Sequence, residues 1–299
     1  MSRMLGNYRA NRRRHRLGGR LDRLRLQKVS RKRKEEEIMK KTAKKSSPKP
    51  KIVSEKEWLK ARKRLLTKEK KFTRQRDALS AERRKLPWVK VSKNYVFEGP
   101  KGKEALADLF QGKNQLIVYH FMFDPKWTEG CPSCSFICDH MDGTLAHLAH
   151  RDVSFVAISR APLPRIQAFQ KRMGWRFKWV SSYESDFNFD YHVSFTPEDL
   201  ASGKAEYNYE KLGFPLGEGP GASVFAKGKN GAVYHTYSTF ARGLDILIGT
   251  YNFLDLVPKG RDEDKLAFTM AWLRHHDRYD DDYAVDPKAG YIPPKSSAS

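Results

Sequence analysis

Leu116-Ile117-Val118-Tyr119-His120-Phe121 leads, after a short loop, into Trp127-Thr128-Glu129-Gly130-Cys131-Pro132-Ser133-Cys134-Ser135-Phe136. The first stretch is almost wholly apolar and six residues long, the pattern of a strand buried on both faces. The second reads as the start of a helix. Pro at the first helical position lacks an amide hydrogen that would go unpaired there anyway. Cys131 then sits over free backbone N–H groups and the positive end of the helix dipole, which favour a thiolate and predict a lowered thiol pKa. Cys134 falls one turn in, placed to attack a mixed disulfide on Cys131. The spacing predicts an attacking and a resolving thiol of dithiol–disulfide exchange.

Outward from this junction the chain alternates. The spacing predicts a helix over 132–149, with Phe136, Ile137, Met141, Leu145 and Leu148 as its apolar stripe. Val153–Ile158 reads as a second buried strand, 163–173 as a helix ended by Gly174, and Lys178-Trp179-Val180 as a short strand. Tyr95-Val96-Phe97 before Gly99-Pro100-Lys101-Gly102 reads as strand and turn. Ser223–Ala226, the turn Lys227–Gly231 and Ala232–Tyr237 read as an antiparallel pair. A closing helix is expected over 244–256, stopped by Pro258. The expected fold class is α/β, a central mixed sheet flanked by helices.

On the N-terminal side, Ser54-Glu55-Lys56-Glu57 matches a capping box. Trp58, Leu59, Leu65, Leu66, Phe72 and Leu79 follow at broadly helical spacing, up to Pro87. One long amphipathic helix or two shorter ones are expected, packed on the same domain or on a second copy, so a homodimer is an open expectation. The expected organisation is a basic disordered tail over 1–51, a helical lead-in over 52–86, an α/β domain over 87–280 and a loose tail over 281–299.

The formal net charge of +23 is unevenly distributed. Residues 1–51 hold 20 Lys+Arg against 4 Asp+Glu, a balance of +16, and the remainder carries only +7. The excess therefore speaks for a solvated tail with few large apolar residues, and any nucleic-acid binding is expected only as non-specific attraction to that tail. Two readings of residues 1–38 stand. They are a native tail, or an over-extended frame whose native start is Met39, since Lys34-Glu35-Glu36-Glu37 implies purine-rich codons just upstream, as in a bacterial ribosome-binding site. N-terminal sequencing separates them. No apolar run approaches the roughly 20 residues needed to span a bilayer, and no apolar segment follows the basic N-terminus. A cytoplasmic protein with no membrane partner is expected.

Three cysteines are too few for a disulfide scaffold, and a cytosolic CxxC reads as redox or metal chemistry. Cys138, His140, His147 and His150 invite a zinc reading. No second CxxC or Cys₂His₂ spacing supports it. Cys138 is expected to be a small core residue, the histidines helix-face or capping residues, and no cofactor or metal is expected. Beside a strand–helix–strand unit, the CxxC points to a thioredoxin-like domain with an N-terminal helical extension.

Several blocks resemble the family catalogued as domain of unknown function 899, predicted dithiol–disulfide oxidoreductases of the thioredoxin-like superfamily. They are Leu86-Pro87-Trp88-Val89, Tyr119–Phe123, Gly130–Phe136, His150–Val153, Lys171–Trp175, Ser185–Asn188, His235-Thr236-Tyr237-Ser238 and Ala241-Arg242-Gly243. The resemblance runs from about Ile52 to Tyr279. It implies a thioredoxin-like fold and a redox role without a defined substrate. A wider likeness implies a rival mechanism: Thr128-Glu129-Gly130-Cys131 is similar to the Thr-x-x-Cys of peroxiredoxins. Cys131 would then attack a peroxide and Cys134 would resolve the sulfenic acid. Thr128 would hold the peroxide, and Arg160 or Arg242 would stabilise the thiolate. Thioredoxin-fold proteins also place a cis-proline before the strand facing the CxxC. Pro220 is the nearest candidate here, with a plain loop proline as the alternative. Trp127 is expected to flank the active-site groove or simply to pack. Expected partners are a thiol or disulfide substrate, protein or small molecule, and an external reductant. A third reading is a redox-inert module that binds a partner through Tyr183–Tyr209.

Overall fold

The computed structural model describes residues 50–211 and 216–279. The expected tails lie outside these residues, apart from Pro50 and Lys51. Two compact units divide between Lys71 and Phe72, within the first helix.

Helix α1 is a single element, Glu55–Arg83. Its capping box forms: the Glu57 amide donates to Ser54 Oγ at 3.3 Å and the Ser54 amide to Glu57 Oε2 at 3.1 Å. The helix buries none of its residues, and Trp58, Leu65 and Phe72 are all more than half exposed. Charged residues fill so much of the helix that its apolar positions make only a weak stripe.

Beyond it come β1 (Val89–Lys90), β2 (Val96–Gly99), β3 (Gly102–Ala105), β4 (Gln115–His120), α2 (Pro132–Asp142), α3 (Leu145–His150), β5 (Val153–Ser159), α4 (Leu163–Met173) and β6 (Lys178–Ser181). The short elements α5 (Phe187–Asp190), α6 (Pro197–Ser202), β7 (Glu206–Tyr207) and β8 (Glu210–Lys211) follow, then β9 (Gly221–Lys227), β10 (Val233–Phe240) and α7 (Gly249–Leu254). The eight-stranded sheet runs β1-β10-β9-β4-β5-β6-β2-β3. β4 is central, parallel to β5 on one side and antiparallel to β9 on the other, and β5 is parallel to β6. This mixed sheet, with a β4–α2–β5 unit on one side of the central strand and the β9–β10 hairpin on the other, is a thioredoxin-like fold.

Period two along β4 divides the core. Leu116 and Val118 point to one face with Val156, Ile158, Val180, Phe187 and Phe225. Tyr119 and Phe121 point to the other with Trp179, the cysteines, and Ile166 and Phe169 of α4. Each fully buried large side chain stabilises the fold by about 1.5–3 kcal/mol. Phe121, Phe123, Trp179 and Phe225 are among those with at most 1 % exposure.

Two expected helices are shorter than anticipated. The helix over 132–149 breaks after Asp142, because Gly143 is a poor helix former and Thr144 Oγ1 donates to the Met141 carbonyl at 2.8 Å in place of the next helical turn. The closing helix over 244–256 is instead a 3₁₀ stretch, Ala241–Leu247, followed by α7. Gly249 starts α7 where a Cβ would lie 2.9 Å from His140 Nδ1. By contrast, α4 ends on Gly174 at φ 67°, as its sequence anticipates.

Candidate redox site

Cys131 is the N-cap of α2, extended at φ −60° and ψ 129°, with Pro132 as the first helical residue. The main chain of Met122, just past β4, brackets both cysteines: the Cys131 amide donates to the Met122 carbonyl at 3.1 Å, and the Met122 amide donates to Cys134 Sγ at 3.4 Å. Ser135 donates to the Cys131 carbonyl through its amide and, at 3.0 Å, its hydroxyl. The pair is thus held by the end of the central strand, which is why strand and helix must be read together.

None of the three cysteines is joined in a disulfide, and all are buried: Cys131 is 2 % exposed, Cys134 1 % and Cys138 0 %. Burial pushes the Cys134 thiol well above its ordinary value, and the neighbouring Cys131 pushes it further. The Met122 amide and the Tyr119 hydroxyl act the other way, because both would donate to a Cys134 thiolate. Burial also raises the Cys138 thiol, with Asp139 and Asp142 adding to the effect, and this cysteine is a small core residue.

Tyr119 was not singled out from the sequence as a site residue. It stands in β4 between Ala157 of β5 and Ala222 of β9, two small neighbours that leave room for its ring beneath α2. Its hydroxyl is buried and lies by Cys134 without hydrogen-bond geometry. The strand periodicity could have found it: Ile117, Tyr119 and Phe121 share a face, and that face carries the cysteine helix.

A second group missed in the sequence braces the loop before Cys131. His275 Nε2 lies 2.9 Å from the Gly130 carbonyl, which can only accept, so the ring donates there. His275 Nδ1 is therefore bare, and it accepts from Arg172 Nη2 at 2.8 Å. Glu129 binds both Arg172 and Arg278, and Arg172 also binds Asp277. The Glu129 carboxyl is held below its usual range by these cations despite partial burial. Gly130 is the residue that this packing requires, since a Cβ would come within 2.6 Å of the Phe121 ring and 2.8 Å of the Phe169 ring.

The other expected residues are placed as follows. Trp127 is half-buried against the cluster that holds the cysteines, and its carbonyl accepts from Arg165 at 2.8 Å. Thr128 is exposed. Arg160 is engaged by Glu218 at 3.2 Å and Arg242 by Asp245 at 2.9 Å. Pro220 immediately precedes β9, the strand beside β4, but every peptide bond among the described residues is trans, so the expected cis-proline is absent. The Tyr207 hydroxyl donates to the Pro220 carbonyl at 2.8 Å, and Gly219-Pro220-Gly221 enters the strand directly. Much of the Tyr/Phe-rich stretch 183–209 is core: Phe187, Val193, Phe195 and Tyr207 are buried. His140 is a capping residue, accepting from the Thr250 amide at 3.1 Å at the start of α7. Among the described residues no three His, Cys, Asp or Glu side chains are grouped to hold a metal ion, and no helix is long and apolar enough to cross a membrane.

Comparison with solved structures finds peroxiredoxin-type chains at low similarity. The peroxidoxin BcpB of Mycobacterium tuberculosis matches with a TM-score of 0.40 and 12 % identity, over 55 % of this chain and 95 % of that one. A Xanthomonas campestris peroxiredoxin Q mutant matches with a TM-score of 0.36 and 14 % identity, over 56 % and 95 %. The mitochondrial 2-Cys peroxiredoxin of Plasmodium falciparum matches with a TM-score of 0.34 and 13 % identity, over 55 % and 90 %. Comparison with curated proteins gives no match. The model of one sequence family, described as a bacterial protein of unknown function (DUF899), matches residues 47–279. That span takes in the cysteine pair, the strand that brackets it and the brace above it, and the chain belongs to the DUF899 family.

Proposed function

We propose that the protein is a thiol–disulfide oxidoreductase whose redox centre is Cys131 and Cys134. The observation that carries this reading is the position of Cys131, at the N-cap of α2 directly off the central strand, with free Cys134 one turn in. In the reductive direction the Cys131 thiolate attacks a substrate disulfide. One substrate thiolate leaves, and a Cys131–substrate disulfide forms. Cys134 then loses its proton to solvent and attacks Cys131 Sγ. The second substrate thiolate leaves, with the Cys131–Cys134 disulfide as product. An external dithiol returns the pair to the reduced state. The raised Cys134 thiol suits the resolving role, since it stays protonated until a mixed disulfide is presented to it.

A second reading has its own observation. Cys131 is 2 % exposed, which admits a small oxidant more readily than a folded protein. A peroxide attacked by Cys131 would leave as water or an alcohol. The resulting sulfenic acid would condense with Cys134, releasing water and giving the same disulfide.

The test is the redox state of the two cysteines across graded thiol/disulfide buffers, read by acid quench, denaturation, alkylation and mass spectrometry. A reversible Cys131–Cys134 disulfide is expected, with a midpoint on the order of −100 to −300 mV. Absence of that disulfide at every poise overturns both readings. Competition by hydrogen peroxide in the same assay distinguishes them.

A further inference from the structure

The face of the sheet opposite the cysteines carries polar groups that the redox chemistry does not use. A hydrogen-bonded chain crosses three strands there. His120 Nε2 of β4 lies 2.8 Å from Ser223 Oγ of β9, Ser223 Oγ lies 2.8 Å from Ser238 Oγ of β10, and Ser238 Oγ lies 2.7 Å from His235 Nε2. The Tyr237 carbonyl, 3.1 Å from His235 Nε2, can only accept, so Nε2 carries the hydrogen. Ser238 Oγ then accepts from His235, and this tautomer leaves His235 Nδ1 as a bare acceptor. Burial lowers the pKa of this ring, which keeps it neutral.

His235 and Ser238 line a cavity of about 390 Å³, at the small end of ligand sites. Its walls are aromatic: Tyr95, Tyr191 and Tyr209 line it, with the Tyr191 ring 5.3 Å from that of His235 and perpendicular to it. Its charged side chains offset one another in sign. Lys93 binds Asp190 at 2.7 Å and Asp186 at 2.8 Å, the Tyr95 hydroxyl also donates to Asp190, and the other two charged residues of the lining, Lys90 and Glu206, are of opposite sign.

We propose that this cavity is a binding site for a small uncharged phenolic compound, whose ring packs among Tyr95, Tyr191 and Tyr209 and whose hydroxyl donates to His235 Nδ1. Aromatic walls select a flat ring, cancelled charges disfavour an ionised ligand, and the bare nitrogen selects a donor over an acceptor.

The experiment is a fluorine NMR titration of the full chain with 4-fluorophenol and, separately, fluorobenzene, which fills the same space without the donor. Saturable binding of 4-fluorophenol is expected, tighter than fluorobenzene by roughly three- to ten-fold, the worth of one hydrogen bond. His235→Phe should reduce the phenol to the affinity of fluorobenzene. Tyr209 is 70 % exposed and its replacement should leave the fold intact, so Tyr209→Ala should weaken both probes. Equal affinity of the two probes, a phenol advantage that survives His235→Phe, or no saturable binding at the solubility limit of either probe overturns the proposal.

Discussion

Replacing Tyr119 by Phe separates two roles that its hydroxyl plays in opposite directions. In the reduced protein this hydroxyl is buried and lacks a partner of full hydrogen-bond geometry. A buried unsatisfied polar group costs about 1–3 kcal/mol. Tyr119→Phe should therefore stabilise the reduced fold by about 1 kcal/mol or more, raising its melting temperature by about 2–4 °C per kcal/mol for a unit of this size. The Cys134 thiolate, in contrast, needs that donor. A hydrogen bond to a charged group is worth about 1.5–3 kcal/mol, so its loss raises the thiol by about one to two pKa units. The thiolate fraction at neutral pH then falls about ten- to hundred-fold. Nucleophilicity recovers part of this, because it rises with pKa with a coefficient of about 0.4–0.5, and the net slowing of resolution is about three- to fifteen-fold. The assay is single-turnover reaction with 5,5′-dithiobis(2-nitrobenzoate) in a Cys138→Ala background. The first coloured thiolate released reports attack by Cys131, and the second reports attack by Cys134. Tyr119→Phe should leave the first release unchanged and slow the second. A second release as fast as in the parent, both releases slowed alike, or a destabilised reduced fold would refute the reasoning.

Three further outcomes are expected. Gly130→Ala should destabilise the protein by about 1–3 kcal/mol in urea unfolding, because its Cβ meets the Phe121 and Phe169 rings inside van der Waals distance. Arg172→Ala should speed native-state alkylation of Cys131 by iodoacetamide at least about ten-fold, since it removes the donor to His275 and one of the cations on Glu129, which together brace the adjoining loop. Glu218 is buried, and desolvation raises its carboxyl from 4.5 to about 8 despite Arg160 and Ser194. The folded state thus holds a proton that the unfolded chain has already lost, so this group's contribution is complete below pH 4.5 and falls away as pH rises to about 8. Glu218→Gln should flatten the dependence of unfolding free energy on pH across that window.

The legible parts of this fold are those in which a single local rule decides the outcome. Ser54 and Glu57 close their capping box, Gly174 ends α4, and the run from Leu116 is the central strand because nothing polar interrupts its core faces before His120. Cys131 and Pro132 mark a helix start whatever else surrounds them. Where two rules compete, sequence alone does not rank them. Leu145 and Leu148 continue the apolar stripe of α2, yet Gly143 and the Thr144 hydroxyl break the helix first. Pro220 sits where a cis-proline would be expected, but its backbone conformation depends on the loop that leads into β9. Tyr119 and His275 were overlooked for a different reason. A tyrosine in an apolar strand and a histidine in an irregular C-terminal stretch carry no local signal of the cysteines they serve, Cys134 and Cys131, which lie 15 and 144 positions from them.

The burial of the pair decides which parts of the molecule must move for exchange to occur. Cys131 is fixed from below by the main chain of Met122, whose amide and carbonyl belong to the continuation of the central strand. Moving that strand would break pairing with both β5 and β9, the best-connected part of the sheet. The brace above is of another kind. It is built from side-chain contacts of an irregular segment: His275 to the Gly130 carbonyl, Arg172 to Asp277, and Arg278 to Glu129. Arg278 and Asp277 are partly solvated, so their ion pairs are individually weak and screened by salt. Access to Cys131 is therefore cheapest through the segment 273–279, and raising ionic strength should speed its alkylation while leaving the sheet unchanged. An alkylation rate independent of salt, with amide exchange in 273–279 as slow as in β4, would locate the opening elsewhere and leave the small-oxidant reading as the one compatible with a closed site.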